Sequence, residues 1–181
     1  MNLIFRSARR LLTAAIAIAI ALSSHLAAHH TSDPRPDALP DAYVAARLSV
    51  RSPDGVVWQA DNPAQAIRAS FDAHGVHVRP GDPEAWRLDL QFTSLQRAEA
   101  REDLGPARVS GVGQHVELQR RTSRGQAIAE WMTNDVRGLE HGVTVRERPL
   151  PGASGALRLN LAINGSLTPR LIAADALTFV D

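Results

Sequence analysis

The chain has 181 residues, 20 basic against 19 acidic, and no cysteine. The missing thiols exclude disulfides, thiolate catalysis and cysteine-type zinc sites. The near-neutral balance leaves no electrostatic footprint for nucleic acid or an anionic lipid surface. All the basic residues are arginine, a bias expected from a genome rich in G and C and given no functional weight.

In chain order, Arg6, Arg9 and Arg10 precede the apolar run Leu11 to Leu22, and small residues follow from Ser23 to Ala28. A basic start, about 12 apolar residues and a small-residue exit read as a secretory signal peptide over 1–28, too short for the roughly 20 residues of a membrane span. The expectation is export by a bacterium to the periplasm, the cell surface or the medium, with no integral membrane anchor after cleavage. The Arg9-Arg10 pair is also compatible with a twin-arginine signal. Cleavage would remove three arginines and leave 17 basic against 19 acidic residues, a formal charge of −2.

Residues 29–41 carry Asp33-Pro34, Arg35-Pro36 and Leu39-Pro40, proline steps that bar helix and sheet ladder and predict an exposed tether. The remaining stretch, 42–181, is predicted to be one domain, since about 150 residues bury close to 70% of their unfolded surface. Trp58, Trp86, Trp131, Phe71, Phe92 and Phe179 are expected to matter most to its core.

From Tyr43 the apolar pattern has period two. Val44, Ala46, Leu48 and Val50 predict a strand, Ser52-Pro53-Asp54-Gly55 a turn and Val56-Val57-Trp58 a return strand. Ile67 to Phe71 is read as a strand, with a short helix starting after Asn62-Pro63 as the alternative, and strands are predicted at Val76 to Val78 and at Trp86 to Phe92. The polar stretch Leu95 to Gly113 is predicted to be a long surface loop or frayed helix. Val116 and Leu118 resume the strand pattern, and Arg120 to Gly125 read as an exposed turn before Ala127 to Met132. Leu157 to Ile163 alternates cleanly, and Asn164-Gly165 predicts a hairpin into Leu167 to Ile172. Leu177 and Phe179 complete the series. Short strands every 8 to 12 residues predict an all-β fold, an antiparallel β-sandwich built from hairpins.

No set of residues announces a reaction. His74 and His77 are three apart, but Gly75 and a β-rich context separate them from a helical metal face. Gly152-Ala153-Ser154-Gly155 falls one residue short of a nucleophile elbow. Glu130, Asp135 and Glu140 could supply a glycosidase carboxylate pair only if the fold brought them together. No cofactor and no metal ligand set is read from the chain.

The densest run of unusual residues is Glu130-Trp131-Met132-Thr133-Asn134, followed by Gly138-Leu139-Glu140-His141-Gly142-Val143-Thr144. Gly138 and Gly142 predict a tight bend around Leu139-Glu140. This segment resembles E-W-Y-x-N-x-x-x-G-L-E-Q-G-F-T in an N-terminal β domain of large exported bacterial repeat proteins, which often continue into FG-GAP (integrin-alpha-like) repeats. The resemblance runs from Ala60 to Asp181 and takes in Asn62, Gly75-Val76 and the Trp86 strand. Met132, His141 and Val143 depart from it. It implies an extracellular or cell-surface module without assigned catalytic residues, and a chain that is a truncated product or a stand-alone remnant of a longer repeat protein.

The leading functional expectation is therefore a secreted, non-enzymatic structural or interaction module with a protein or glycan partner. In that reading Glu130, Trp131, Asn134, Gly138, Leu139, Glu140 and Gly142 are structural, with Trp131 in the core. The alternative is a carbohydrate-binding module using Trp131 or Trp58 as a stacking platform. A glycoside hydrolase using Glu130 and Glu140 ranks below both.

Overall fold

The computed structural model describes residues 2–5, 13–16, 41–81 and 85–180, with side chains from Tyr43 onward. In chain order the elements are β1 (Asn2–Phe5), β2 (Thr13–Ile16), α1 (Asp41–Arg47), β3 (Trp58–Asn62), β4 (Ile67–Phe71), β5 (Val76–Pro80) and β6 (Leu88–Arg97). There follow β7 (Ala100–Asp103), β8 (Arg108–Val112), β9 (His115–Arg121), β10 (Ala127–Asp135), β11 (Gly138–Thr144), β12 (Leu157–Gly165), β13 (Thr168–Ala173) and β14 (Ala176–Val180).

Two antiparallel sheets pack face to face, so the all-β sandwich read from the sequence is the fold. The first sheet runs β1-β12-β6-β5-β4-β3 with β7 paired to the far half of β6, and the second runs β2-β11-β10-β9-β8. Alternation supplies the interior, because successive side chains point to opposite faces. Phe71, Val76, Leu88 and Phe92 look inward from the first sheet, and Val116, Leu118, Ile128 and Met132 from the second, all at most 3% exposed. One apolar cluster joins β3 to β6 with β9 and β10, and a second joins Phe92 and Leu95 to Ile128, Val143, Leu157 and Leu159.

The expected leader contributes β1 along β12 and β2 along β11. Its other residues, and the tether apart from Asp41, lie outside the described residues. Among the described residues no helix is long and apolar enough to cross a membrane.

Four expectations need correction. Residues 41–47 form a helix and not a strand, and only the Arg51–Gln59 bridge remains of the first hairpin. Val44 and Ala46 stay exposed and Leu48 alone is buried, so the apparent alternation had no interior to serve. The supposed loop at 95–113 is three strand segments: β6 extends to Arg97, turns at Ala98 with φ 48°, and returns as β7 before β8. Asn164-Gly165 does not fold β12 and β13 into a hairpin, because β12 pairs with β6 and β13 pairs with β14 in a separate ribbon. Finally, Gly138 to Gly142 is continuous strand, and the bend is the Val136-Arg137 turn before it.

Candidate functional site

The inward parity of the second sheet carries three ionisable residues into the core on neighbouring strands: Arg120 on β9, Glu130 on β10 and His141 on β11. Arg120 Nε donates to Glu130 Oε2 at 2.8 Å, and His141 Nε2 donates to Glu130 Oε1 at 3.0 Å. Their side chains are 1%, 0% and 2% exposed. Arg120 also donates through Nη1 to the Ala73 and Gly105 carbonyls, at 3.3 and 3.2 Å, and through Nη2 to the His74 carbonyl at 3.1 Å. It thereby ties the β4–β5 turn to the second sheet.

His141 Nε2 faces a carboxylate oxygen, which can only accept, so Nε2 carries a hydrogen, while Nδ1 is enclosed without a partner. Burial opposes the charge on Glu130. The hydrogen bond from His141 and the Arg120 guanidinium outweigh it and hold the carboxyl below its ordinary range.

A second buried polar group closes one end of the sandwich. Asn62 Nδ2 donates to Asn134 Oδ1 at 2.8 Å and to the Asp135 carbonyl at 2.7 Å. Asn134 Nδ2 in turn donates to the carbonyls of Leu48 and Asp61, at 2.9 and 3.0 Å. Both amides are inside, so the pair joins β3, β10 and the segment after α1 by satisfied hydrogen bonds.

The opposite parity points outward. Trp131 sits on the outer face of β10, half-buried, and its ring covers Gly142 on β11, where a β-carbon would overlap the six-membered ring. Its Nε1 donates to Thr144 Oγ1 at 3.2 Å, and the His115 ring lies 5.9 Å away. Trp131 therefore does not fill the core. Trp58 behaves differently: it packs against the larger apolar cluster and covers Gly111, so it is no outward platform.

Glu130 and Glu140 cannot act as a carboxylate pair. Glu130 is opposite Val143 and points in, whereas Glu140 is opposite Thr133 on the outer face. Asp135 is held by Arg137 at 2.6 Å beside the turn. His74 is exposed, while His77 lies between Asp89 at 2.8 Å and Asp72 at 3.2 Å. Among the described residues no group of three or more His, Asp or Glu is arranged to hold a metal ion. Leu139 is core, and Gly138 takes φ 138° at the entry to β11.

Sequence reasoning missed Arg120, which it assigned to an exposed turn, and the inward role of His141. A signal existed: Arg120 continues the inward parity of Val116 and Leu118, and His141 that of Leu139 and Val143.

Next to Trp131 on the outer face, Ala127 and Ala129 leave a shallow trough of about 530 Å³ flanked by Arg108, Arg121 and Arg146. No protein-family model, no curated protein and no solved structure matches the chain.

Proposed function

We propose that the chain is an exported, non-enzymatic interaction module, a β-sandwich scaffold that presents its outer sheet face to a partner at or beyond the cell surface. One observation carries the reading: the polar residues of the 130–142 segment that look inward are bound to each other and to backbone, Glu130 by Arg120 and His141, and Asn134 by Asn62, Leu48 and Asp61. Polar groups bonded to one another inside the sandwich fix a fold and leave contact with ligands to the outward residues of the same strands. The arginine-rich, apolar leader and the resemblance to exported bacterial repeat proteins support an extracellular setting. The test is to produce the full chain in a bacterial host, fractionate it and determine its N-terminus by mass spectrometry. A product cleaved between residues 22 and 29 outside the cytoplasm is expected, and a chain retained inside with Met1 intact would overturn the export. Turnover on a glycoside or ester panel that disappears in Glu130→Gln would overturn the non-enzymatic part.

A second reading, carbohydrate binding, is favoured by the outward Trp131 ring, which lies flat over a strand glycine beside hydrogen-bonding side chains. Its simplest check is a change in tryptophan emission on adding glycans.

A further inference from the structure

Three features of the outer face of the second sheet coincide. The first is a floor without bulk: Ala127 and Ala129 are the outward residues of β10 next to Trp131, and they leave the trough open to solvent. The second is charge. Arg121 lies directly across from Ala127 on β9, and Gln119 and Arg108 lie in one row with Ala129 on β9 and β8. Arg146, just after β11, lines the opposite side. Among the described residues neither Arg108 nor Arg146 takes part in a side-chain hydrogen bond or ion pair, and Arg121 donates only to the Gly125 carbonyl within its own turn. Glu117, which also lines the trough, accepts from Gln119 at 2.8 Å. The third feature is the Trp131 ring on the adjoining row, one side covering Gly142.

Guanidinium groups match carboxylates in shape as well as charge, since each presents paired N–H donors to paired oxygens. A volume of about 530 Å³ lies within the range of small-ligand sites. A flat aromatic ring next to hydrogen-bonding side chains suits a pyranose, whose apolar C–H face stacks on the ring while its edge hydroxyls meet polar groups. Cations at one end and a ring at the other select a sugar chain that bears carboxylates. We infer that this trough, with Trp131 at its rim, binds an acidic, uronate-bearing oligosaccharide. The inference rests on the interaction-module reading and on its carbohydrate variant, and it names the ligand class and the face.

The experiment is a calorimetric and fluorescence titration of the chain, as recovered from the host, with oligogalacturonate. The neutral galacto-oligosaccharide of equal length, a poly-glutamate peptide and inorganic phosphate serve as comparison probes. Binding is expected for oligogalacturonate, with a shift in tryptophan emission and weakening as ionic strength rises from about 0.01 to about 0.1 M. The Arg108→Gln/Arg121→Gln/Arg146→Gln variant, checked for native circular dichroism, should bind at least tenfold more weakly, and Trp131→Phe should bind less well without loss of charge dependence. Equal binding of the neutral sugar, tighter binding of poly-glutamate or phosphate, full affinity in the triple variant, or no binding at all would each overturn the inference. A chain that stays in the cytoplasm yet binds oligogalacturonate through these arginines overturns only the export reading, so the two failures are distinct.

Discussion

Trp131 and Gly142 stand opposite each other on β10 and β11, and the indole occupies the space that a β-carbon at 142 would need. The glycine is required by a close approach and not by a turn, since it lies inside β11 and is not among the glycines of positive φ, whereas Gly138 is. Gly142→Ala must push the ring off the sheet and disturb its bond to Thr144, and overpacking of this kind costs about 1–3 kcal/mol. In a Trp131→Val background the same change should cost much less. Urea midpoints of the four proteins in a double-mutant cycle measure the difference, and strict additivity would deny the contact.

Glu130 is the common acceptor for two buried donors from two neighbouring strands. Glu130→Gln removes the charge opposite Arg120 without changing the side chain's size, and breaking a buried pair on one side costs about 3–5 kcal/mol because the other charge stays desolvated. Arg120 keeps its three carbonyl acceptors, so the loss should fall toward the lower end. Amide exchange should show increased opening of the Ala73-His74 turn in this variant, since the guanidinium that holds it is no longer fixed from behind.

Acid stability follows from the same group. The folded Glu130 carboxyl is held below its ordinary range, so its contribution is complete above the unfolded value near pH 4.3 and fades as pH falls through the lower, folded value. The wild-type unfolding free energy should therefore drop as pH is taken from about 5 toward about 3, and Glu130→Gln should show a shallower drop over that window. Urea unfolding of both proteins across the series tests this. Equal slopes would mean that the carboxyl titrates alike in the folded and unfolded states.

Much of the sandwich was legible because burial on one face writes itself as alternation. Ile67-Ala69-Phe71, Val76-Val78, Leu88-Leu90-Phe92, Val116-Leu118 and Leu157-Leu159 all point inward as the pattern required. The pattern failed where a strand has little interior to face. Among the β7 residues only Glu102 is buried, and β8 alternates between exposed and half-buried residues, so a charged stretch hid two strands. The buried site was obscured for a related reason: charge was read as surface, although parity placed Arg120, Glu130 and His141 inside. Once one carboxylate could meet two donors, burial of all three became tolerable. The outer face was the least legible part, because it depends on which strands are neighbours, and the order β11-β10-β9-β8 sets Arg108, Arg121 and Arg146 around Ala127 and Ala129.

The end of β12 offers a contrast between two glycines of positive φ. Asn-Gly ordinarily marks a two-residue hairpin, in which the glycine is chosen for its backbone angle alone. Gly165 has φ 120°, but its α-carbon also lies against the Arg87 carbonyl, where a β-carbon would overlap the oxygen. The next residue fastens the contact: Ser166 N–H donates to the Arg87 carbonyl and Arg87 N–H donates to Ser166 Oγ, both at 2.9 Å. Gly113 at φ 56° turns the chain between β8 and β9 with open space around it. Gly113→Ala should therefore cost about 1 kcal/mol from backbone strain alone, and Gly165→Ala about 2 kcal/mol or more, because backbone must move as well. Guanidinium denaturation of the two variants decides the matter. Equal costs would mean that position 165 needs glycine for its turn angle only, and that the clamp between the end of β12 and the start of β6 contributes nothing.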